Sequence, residues 1–294
     1  MGNISIEIKG FSTVTSSKIV ASLNKIYKDF SFLDIRRLST IIVSSEFKEN
    51  SVTLQDKYAV VLTLSKNDDF EFILLINPNF ILNILKNKED LFYKRAFHIL
   101  HHEFAHIHDN NKKIDAFKNL MKTSSYKGVS SLLYPIAENC WSEYIANFIS
   151  SKSALDTTYP FEVAKALLYK VNNIPKEIEK KFSLFNGKKG NKEFILFSIK
   201  QAESLFKSAA YLIGYLNGIG ISLEKIDEKI ALELNSSSFY IFFESLKYEL
   251  SSIHQIYPDG FINLSIYKKI AFLVEEFLKQ KGISLIEEKE EPIF

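Results

Sequence analysis

Apolar and polar residues alternate in "ISIEIKG" (4–10), the period-two pattern of a short strand. "TSSKIVASLNKIYKDF" (15–30) changes to helical spacing, with Ile19, Leu23 and Ile26 on one stripe. Three more strand-like runs follow: "LSTIIVSS" (38–45), "KYAVVLTLS" (57–65) and "FEFILLINP" (70–78). The "KNDD" between the last two suits a hairpin turn. "NFILNILKNKED" then leads into a helix containing "HILHHEFAHIHD" (98–109). From about residue 134 the pattern is almost wholly helical, with segments at 134–154, 160–182, 192–216, 222–250 and 262–281. Turn chemistry separates them in "LDTTYP", "FNGKKGN", "NGIGIS" and "YPDGFIN", and the "EEKEEPIF" tail reads as a solvated end. The expected fold is α+β: an N-terminal lobe over 1–155 with a small sheet, then a helical C-terminal lobe over 156–294.

Composition narrows the function classes. With 46% apolar residues in 294, the chain can bury a substantial core. Thirty-seven basic and 35 acidic residues leave a formal charge of +2, with no sustained basic patch, so nucleic acid is not an expected partner. Cys140 is the only cysteine, which excludes an intramolecular disulfide and fits a reducing compartment. The N-terminus lacks the basic-then-apolar order of a secretory signal, and Ile6 stands where a myristoylation pattern wants Ser or Thr. No run approaches the ~18 apolar residues of a membrane span, so a cytoplasmic protein without membrane contact is expected.

The chemistry gathers on one helix: five of the six histidines fall within 98–109. With His98 at zero on a helical wheel, His102 lies near ~40° and His106 near ~80°, neighbours one turn apart. Glu103, near ~140°, falls inside the stripe formed by Phe92, Ala96, Ile99, Leu100 and Ile107. A carboxylate on a buried stripe is costly unless paired, and a cation beside two imidazoles would relieve that cost. His102, Glu103 and His106 spell H-E-x-x-H, in which the imidazoles bind zinc and the glutamate handles a water. His101 and His108 are expected on the solvent side with Asp109, and His98 is expected to be exposed or to support a ligand rather than to be one.

A catalytic zinc usually takes three protein ligands. "IAENCWSEYIANFIS" (136–150) offers Glu143, in a polar row with Asn139 and Asn147 on a helix that also carries Trp141, Tyr144, Ile145 and Phe148. Ala146 is small enough to let another helix come close. Glu138 competes for the role but points ~140° away on the wheel, and Cys140 reads as a small buried apolar residue.

H-E-x-x-H followed by E-x-x-A-N on a second helix resembles the gluzincin-type zinc metallopeptidases. Within them, "HHEFAHIH…EYIANFI" is similar to intracellular bacterial peptidases of the ImmA/IrrE kind, and "ILHHE" is similar to phage-exclusion peptidases. The likeness runs from the strand near residue 57 to the helix ending near 154. It implies a zincin-like core, one zinc ion per chain on His102, His106 and Glu143, and Glu103 as general base. It also implies that Asn147 stands where an acid usually steadies the first histidine, a departure, and that "FEFILLINP" holds an extended peptide by strand addition.

The activity implied is hydrolysis of peptide bonds in a narrow set of protein substrates. The helical lobe is expected to supply an oxyanion stabiliser, with His254 and Tyr257 the nearest to a candidate pair and Tyr211 and Tyr215 as alternatives. Two other readings compete: a zinc-binding sensor on a peptidase-like fold without turnover, and a metal-free scaffold with a polar histidine face.

Overall fold

The computed structural model describes residues 4–44, 57–66, 69–123, 126–155, 158–184 and 192–285, excepting the side chains of 66 and 118–123. The predicted "FNGKKGN" break and the acidic tail lie outside the described residues, as does part of the hairpin turn. The N-terminal alternation forms β1 (Ser5–Ile8), and the helical stripe forms α1 (Thr13–Asp29). α1 is started by the Ser12 side chain, which accepts the Thr15 N–H, and it buries Ile19, Leu23 and Ile26 as the spacing predicts. β2 (Leu38–Val43), β3 (Ala59–Lys66) and β4 (Asp69–Ile76) complete a four-stranded sheet in the order β1-β2-β4-β3. β1, β2 and β4 run parallel, while β3 and β4 form the expected antiparallel hairpin from Ala59↔Ile76 to Lys66↔Asp69.

This topology corrects one expectation. β4, which contains "FEFILLINP", is hydrogen-bonded to β2 on one side and β3 on the other, so both its edges are already used. Among the described residues, β3 is the edge strand beside it. A central position also explains why β4 is nearly continuous in apolar residues: Phe72, Leu74, Leu75 and Ile76 are all buried.

The connector folds into a short α2 (Pro78–Ile81) and a 3-10 turn (Leu82–Leu85) before α3 (Leu91–Thr123). α3 is kinked at Phe117, whose φ of −115° and ψ of 17° leave the helical region. α4 (Ser130–Ser150) runs into a 3-10 turn (Ser151–Ala154), followed by α5 (Tyr159–Leu184) and α6 (Lys192–Ile219). The single helix expected over 222–250 is instead three pieces: a 3-10 turn (Leu223–Lys225), α7 (Glu228–Asn235) and α8 (Tyr240–Ile256). Asp227 caps α7 by accepting the Ile230 N–H, and Ser237 Oγ bonds back to the Leu234 carbonyl in the break that follows. These local side-chain bonds compete with helix continuation, and an apolar period does not register them. α9 (Lys268–Gln280) closes the described fold.

The chain is thus α+β, a small mixed sheet with predominantly helical remainder. Residues 1–115 with 149–159 form one compact unit, and 116–148 with 160–294 form a second. The boundary expected near residue 155 falls inside the segment that returns to the first unit. That unit centres on the sheet, α1 and one face of α3, through Phe72, Leu74, Leu100, Phe104 and Ile107. In the second, Phe206 of α6 packs edge-on against Phe239, Phe242 and Phe277. Among the described residues no helix is long and apolar enough to cross a membrane.

Candidate metal centre

α3 begins where the Asp90 carboxylate accepts the Phe92 N–H at 2.7 Å. Ala96, Leu100, Phe104 and Ile107 enter the core, but Phe92, expected on that stripe, is 56% exposed. Phe92 lies in the first turn, beyond the reach of the sheet, and carries the Lys86 ammonium 3.8 Å from its ring centroid. Glu103 is half-buried, at the margin of the core stripe.

The face expected to meet solvent is covered instead. His98, His101 and Asp109 are buried, and His108 is half-buried. Two segments of the same unit do the covering. Residues 30–37 lie on one flank: Phe30 stacks on the His101 ring at 4.5 Å, and the Asp34 N–H donates to His108 Nδ1 at 2.7 Å. Residues 150–155 and Tyr159 lie on the other: Ser153 Oγ is 2.9 Å from His98 Nδ1 and 3.1 Å from His101 Nδ1. Ser153 Oγ also donates to the Ser150 carbonyl at 2.7 Å, so one hydroxyl ties both rings to the segment that follows α4.

Burial pushes His98 well below its usual value, with the neighbouring His102 and His101 adding to the effect. It pushes His101 down to about 4, with His102 again contributing. His108 is also lowered, by burial first and then by the Lys112 charge. Asp109 is paired with Lys113 at 2.9 Å, so a solvated carboxylate is ruled out there too. Nothing in the helical wheel reports on distant loops, which is why these four positions read as surface.

His102 and His106 stand one turn apart with their Nε2 atoms 2.9 Å from each other and their rings nearly perpendicular. Two nitrogens aimed at one point is the arrangement the i,i+4 spacing predicts. One ligand atom from each of His102, His106 and Glu143 falls within 4.8 Å of the other two. Tetrahedral zinc with bonds of ~2.0–2.1 Å holds its ligand atoms ~3.3 Å apart, a spacing the two imidazole nitrogens already approach. Two imidazoles and a carboxylate are also the donor types zinc takes. The residues fit a divalent metal.

Glu143 sits on α4, where its carboxylate is largely buried and Lys207 of α6 reaches Oε1 at 2.8 Å. Burial works against the Lys207 charge, but the Glu143 charge and hydrogen bond outweigh it and raise its pKa overall. The sequence marks Lys207 only faintly, as a lone charge in the apolar run "LFKSAAYLIGYL". The rest of the polar row is occupied otherwise. Asn139 donates to Glu203 Oε1 at 3.0 Å, and Asn147 Nδ2 donates to the Glu143 carbonyl at 2.7 Å, leaving its buried Oδ1 without a hydrogen bond. Glu138 accepts the Tyr126 hydroxyl proton and is not in the ligand set. Cys140 is fully buried, and burial raises its thiol pKa far out of the reactive range.

α4 and α6 come together through a glycine that no periodicity points to. A Cβ on Gly214 would lie 2.4 Å from the Tyr144 carbonyl oxygen and 2.9 Å from Asn147 Cβ. The glycine permits this close approach, and Lys207 lies two turns before it on the same helix.

His254 of α8 is held in an aromatic nest. Its Nδ1 is 2.9 Å from the Tyr144 hydroxyl, and Phe148 meets it edge to face at 4.2 Å. Burial lowers its pKa. Tyr257 packs on Trp141 at 5.2 Å, and Tyr211 and Tyr215 lie 6.1 Å apart on α6, Tyr215 fully buried.

No protein-family model, curated protein or solved structure matches this chain.

Proposed function

We propose that the chain is a zinc metallopeptidase of the gluzincin type, with a zincin-like core, acting inside the cell on a narrow set of protein substrates. The observation that carries this reading is the convergence of His102, His106 and Glu143, the residues the H-E-x-x-H and E-x-x-A-N patterns designate. One zinc held there would supply Lewis acidity, acidifying a water and polarising a scissile carbonyl. Glu103, next in sequence to the first histidine ligand and only half-buried, takes the proton of the attacking water and returns it to the leaving amine. β3, with an edge open among the described residues, replaces β4 as the strand on which an extended peptide is paired. His254, its Nδ1 held by Tyr144, is the residue proposed to steady the oxyanion.

The experiment has two stages. Elemental analysis of untagged protein should find about one zinc per chain. New protein N-termini should then appear in cells expressing the wild type and be absent with Glu103→Gln, which keeps the shape but cannot take the proton. Loss of a general base lowers the rate by ~10²–10⁴. A protein that takes up no transition metal even after zinc addition overturns the reading.

One observation favours a second reading. Lys207 already neutralises Glu143 without a metal, which suits a site that fills and empties, as a zinc-responsive regulatory protein requires. Zinc binding with identical N-termini for wild type and Glu103→Gln would select it.

A further inference from the structure

A second candidate site lies wholly within the sheet-bearing unit. A cavity of about 510 Å³ opens between α1, the 3-10 turn after α2, and the start of α3. Four lysines line it: Lys18 and Lys25 from α1, two turns apart on one face, and Lys86 and Lys88 from the loop leading into α3. No carboxylate is part of its wall. Among the described residues none of these four ammonium groups is in a salt bridge; Lys86 lies over the Phe92 ring. Of the acids around it, Glu89 holds Lys94 at 3.0 Å and Asp90 caps α3, while Asp29, one turn past Lys25, stands near Tyr93 at the rim as the one carboxylate that opposes the lysines there.

Like charges converging on one concavity repel one another, and low-dielectric walls concentrate their field. Four exposed lysines around one concavity suit an anion. Its remaining wall is of another kind. Ala21 and Ser22 are small and leave room beside α1, Ile84 and Leu85 offer an apolar side, and the half-buried Tyr93 presents a ring stacked on Phe97. The volume lies in the ~300–1,000 Å³ range of small-molecule sites. Lysines clustered in a pocket, with no basic stripe across the fold, match a compact polyanion rather than an extended strand or a membrane surface.

We propose that this pocket binds a phosphorylated small molecule of nucleotide size, its phosphates among Lys18, Lys25, Lys86 and Lys88 and its apolar or planar part against Ile84, Leu85 and Tyr93. The proposal is independent of the metal reading, since no residue is shared. It also gives α3 two jobs, because Tyr93 in its first turn is ~14 Å along the axis from His102.

The test is calorimetric titration of the full chain at physiological salt with ATP, with inorganic tripolyphosphate and with adenosine. Binding of a phosphate compound below about 1 mM is expected, with adenosine silent. ATP should bind more tightly than tripolyphosphate, and equal or weaker binding of ATP would overturn the contact of an organic part with Ile84, Leu85 and Tyr93. The exposed pair Lys25→Glu/Lys88→Glu, checked for native helix content, should weaken binding by about tenfold per lysine or more. Reversing Lys229 and Lys247, exposed lysines of α7 and α8, should leave it unchanged. The pocket is refuted if neither phosphate compound binds, if the Lys25/Lys88 variant binds as the wild type does, or if the distant pair weakens binding equally.

Discussion

Replacing Gly214 by alanine tests whether the close approach of α4 and α6 sets the position of Glu143. The added methyl carbon would stand 2.4 Å from the Tyr144 carbonyl oxygen, against an ordinary contact of 3.4–4 Å. The obstacle is backbone, so rotation of a side chain cannot relieve it, and the helices must separate by about 1 Å. With backbone as the obstacle the overpacking lies at the upper part of the usual range, ~2–3 kcal/mol, and the better helix propensity of alanine returns ~1 kcal/mol. A net loss of about 1–2 kcal/mol is expected, or roughly 2–8 °C in Tm at ~2–4 °C per kcal/mol. Tyr144 directly follows Glu143, so the same displacement moves the carboxylate, and zinc should be lost at a lower chelator concentration. Gly220→Ala is the control. Gly220 has a φ of +68° and an added methyl would meet nothing within 4 Å, so it should cost stability through backbone strain without altering zinc affinity. Differential scanning calorimetry and chelator competition read the two effects separately. A Gly214→Ala protein as stable as the wild type would refute the close-packing argument. A destabilised one with unchanged zinc affinity would refute the link to Glu143.

Other expectations follow from the same side chains. Glu143→Ala should lose zinc on mild chelation while Glu138→Ala, whose carboxylate is committed to Tyr126, retains it; the reverse would mean that the ligand assignment on α4 is wrong. Lys207→Met removes a cation that competes for Glu143, and the pair is part-exposed and worth ~0.2–1 kcal/mol, so zinc should bind up to about fivefold more tightly. Weaker zinc binding in that variant would show that Lys207 supports the carboxylate rather than competing for it. His254 has its pKa lowered by burial, so the folded protein favours the neutral ring. Its contribution to stability is complete above the unfolded value of ~6.5 and is lost as pH falls through the lower folded value. A proton NMR titration should give a His254 midpoint below 6.5, and a midpoint at or above it would contradict the packing around that ring.

What can be read from the sequence follows the reach of each signal. Strands β1 to β4, the hairpin, and the Ile19–Leu23–Ile26 stripe are legible because they rest on local periodicity and turn chemistry. The His102–His106 pair is legible because i,i+4 geometry is fixed by the helix itself. The order of strands is not, since pairing of β2 with β4 joins segments far apart in the chain, and so the central place of β4 has no local mark. The burial of His98 and His101 depends on Phe30 and Ser153, tens of residues away. The 222–250 segment misleads for the opposite reason: its apolar period persists while Asp227 and the serines after Asn235 interrupt the backbone.

The sheet-bearing unit is discontinuous in the chain: it is left at Asp115 and re-entered at Ile149. Synthesis runs in one direction, so this matters for the order of folding. When residue 115 has left the ribosome, the sheet, α1 and the histidine-bearing part of α3 are all present, yet Ser150, Ser153 and Tyr159 are not. At ~5–20 residues per second, the missing segment follows by several seconds. During that interval the Ser153 hydroxyl that bonds both His98 and His101 is not yet in place. The nascent unit is complete only after the intervening α4 has been made, so the helix carrying Glu143 always precedes the closing of the histidine face.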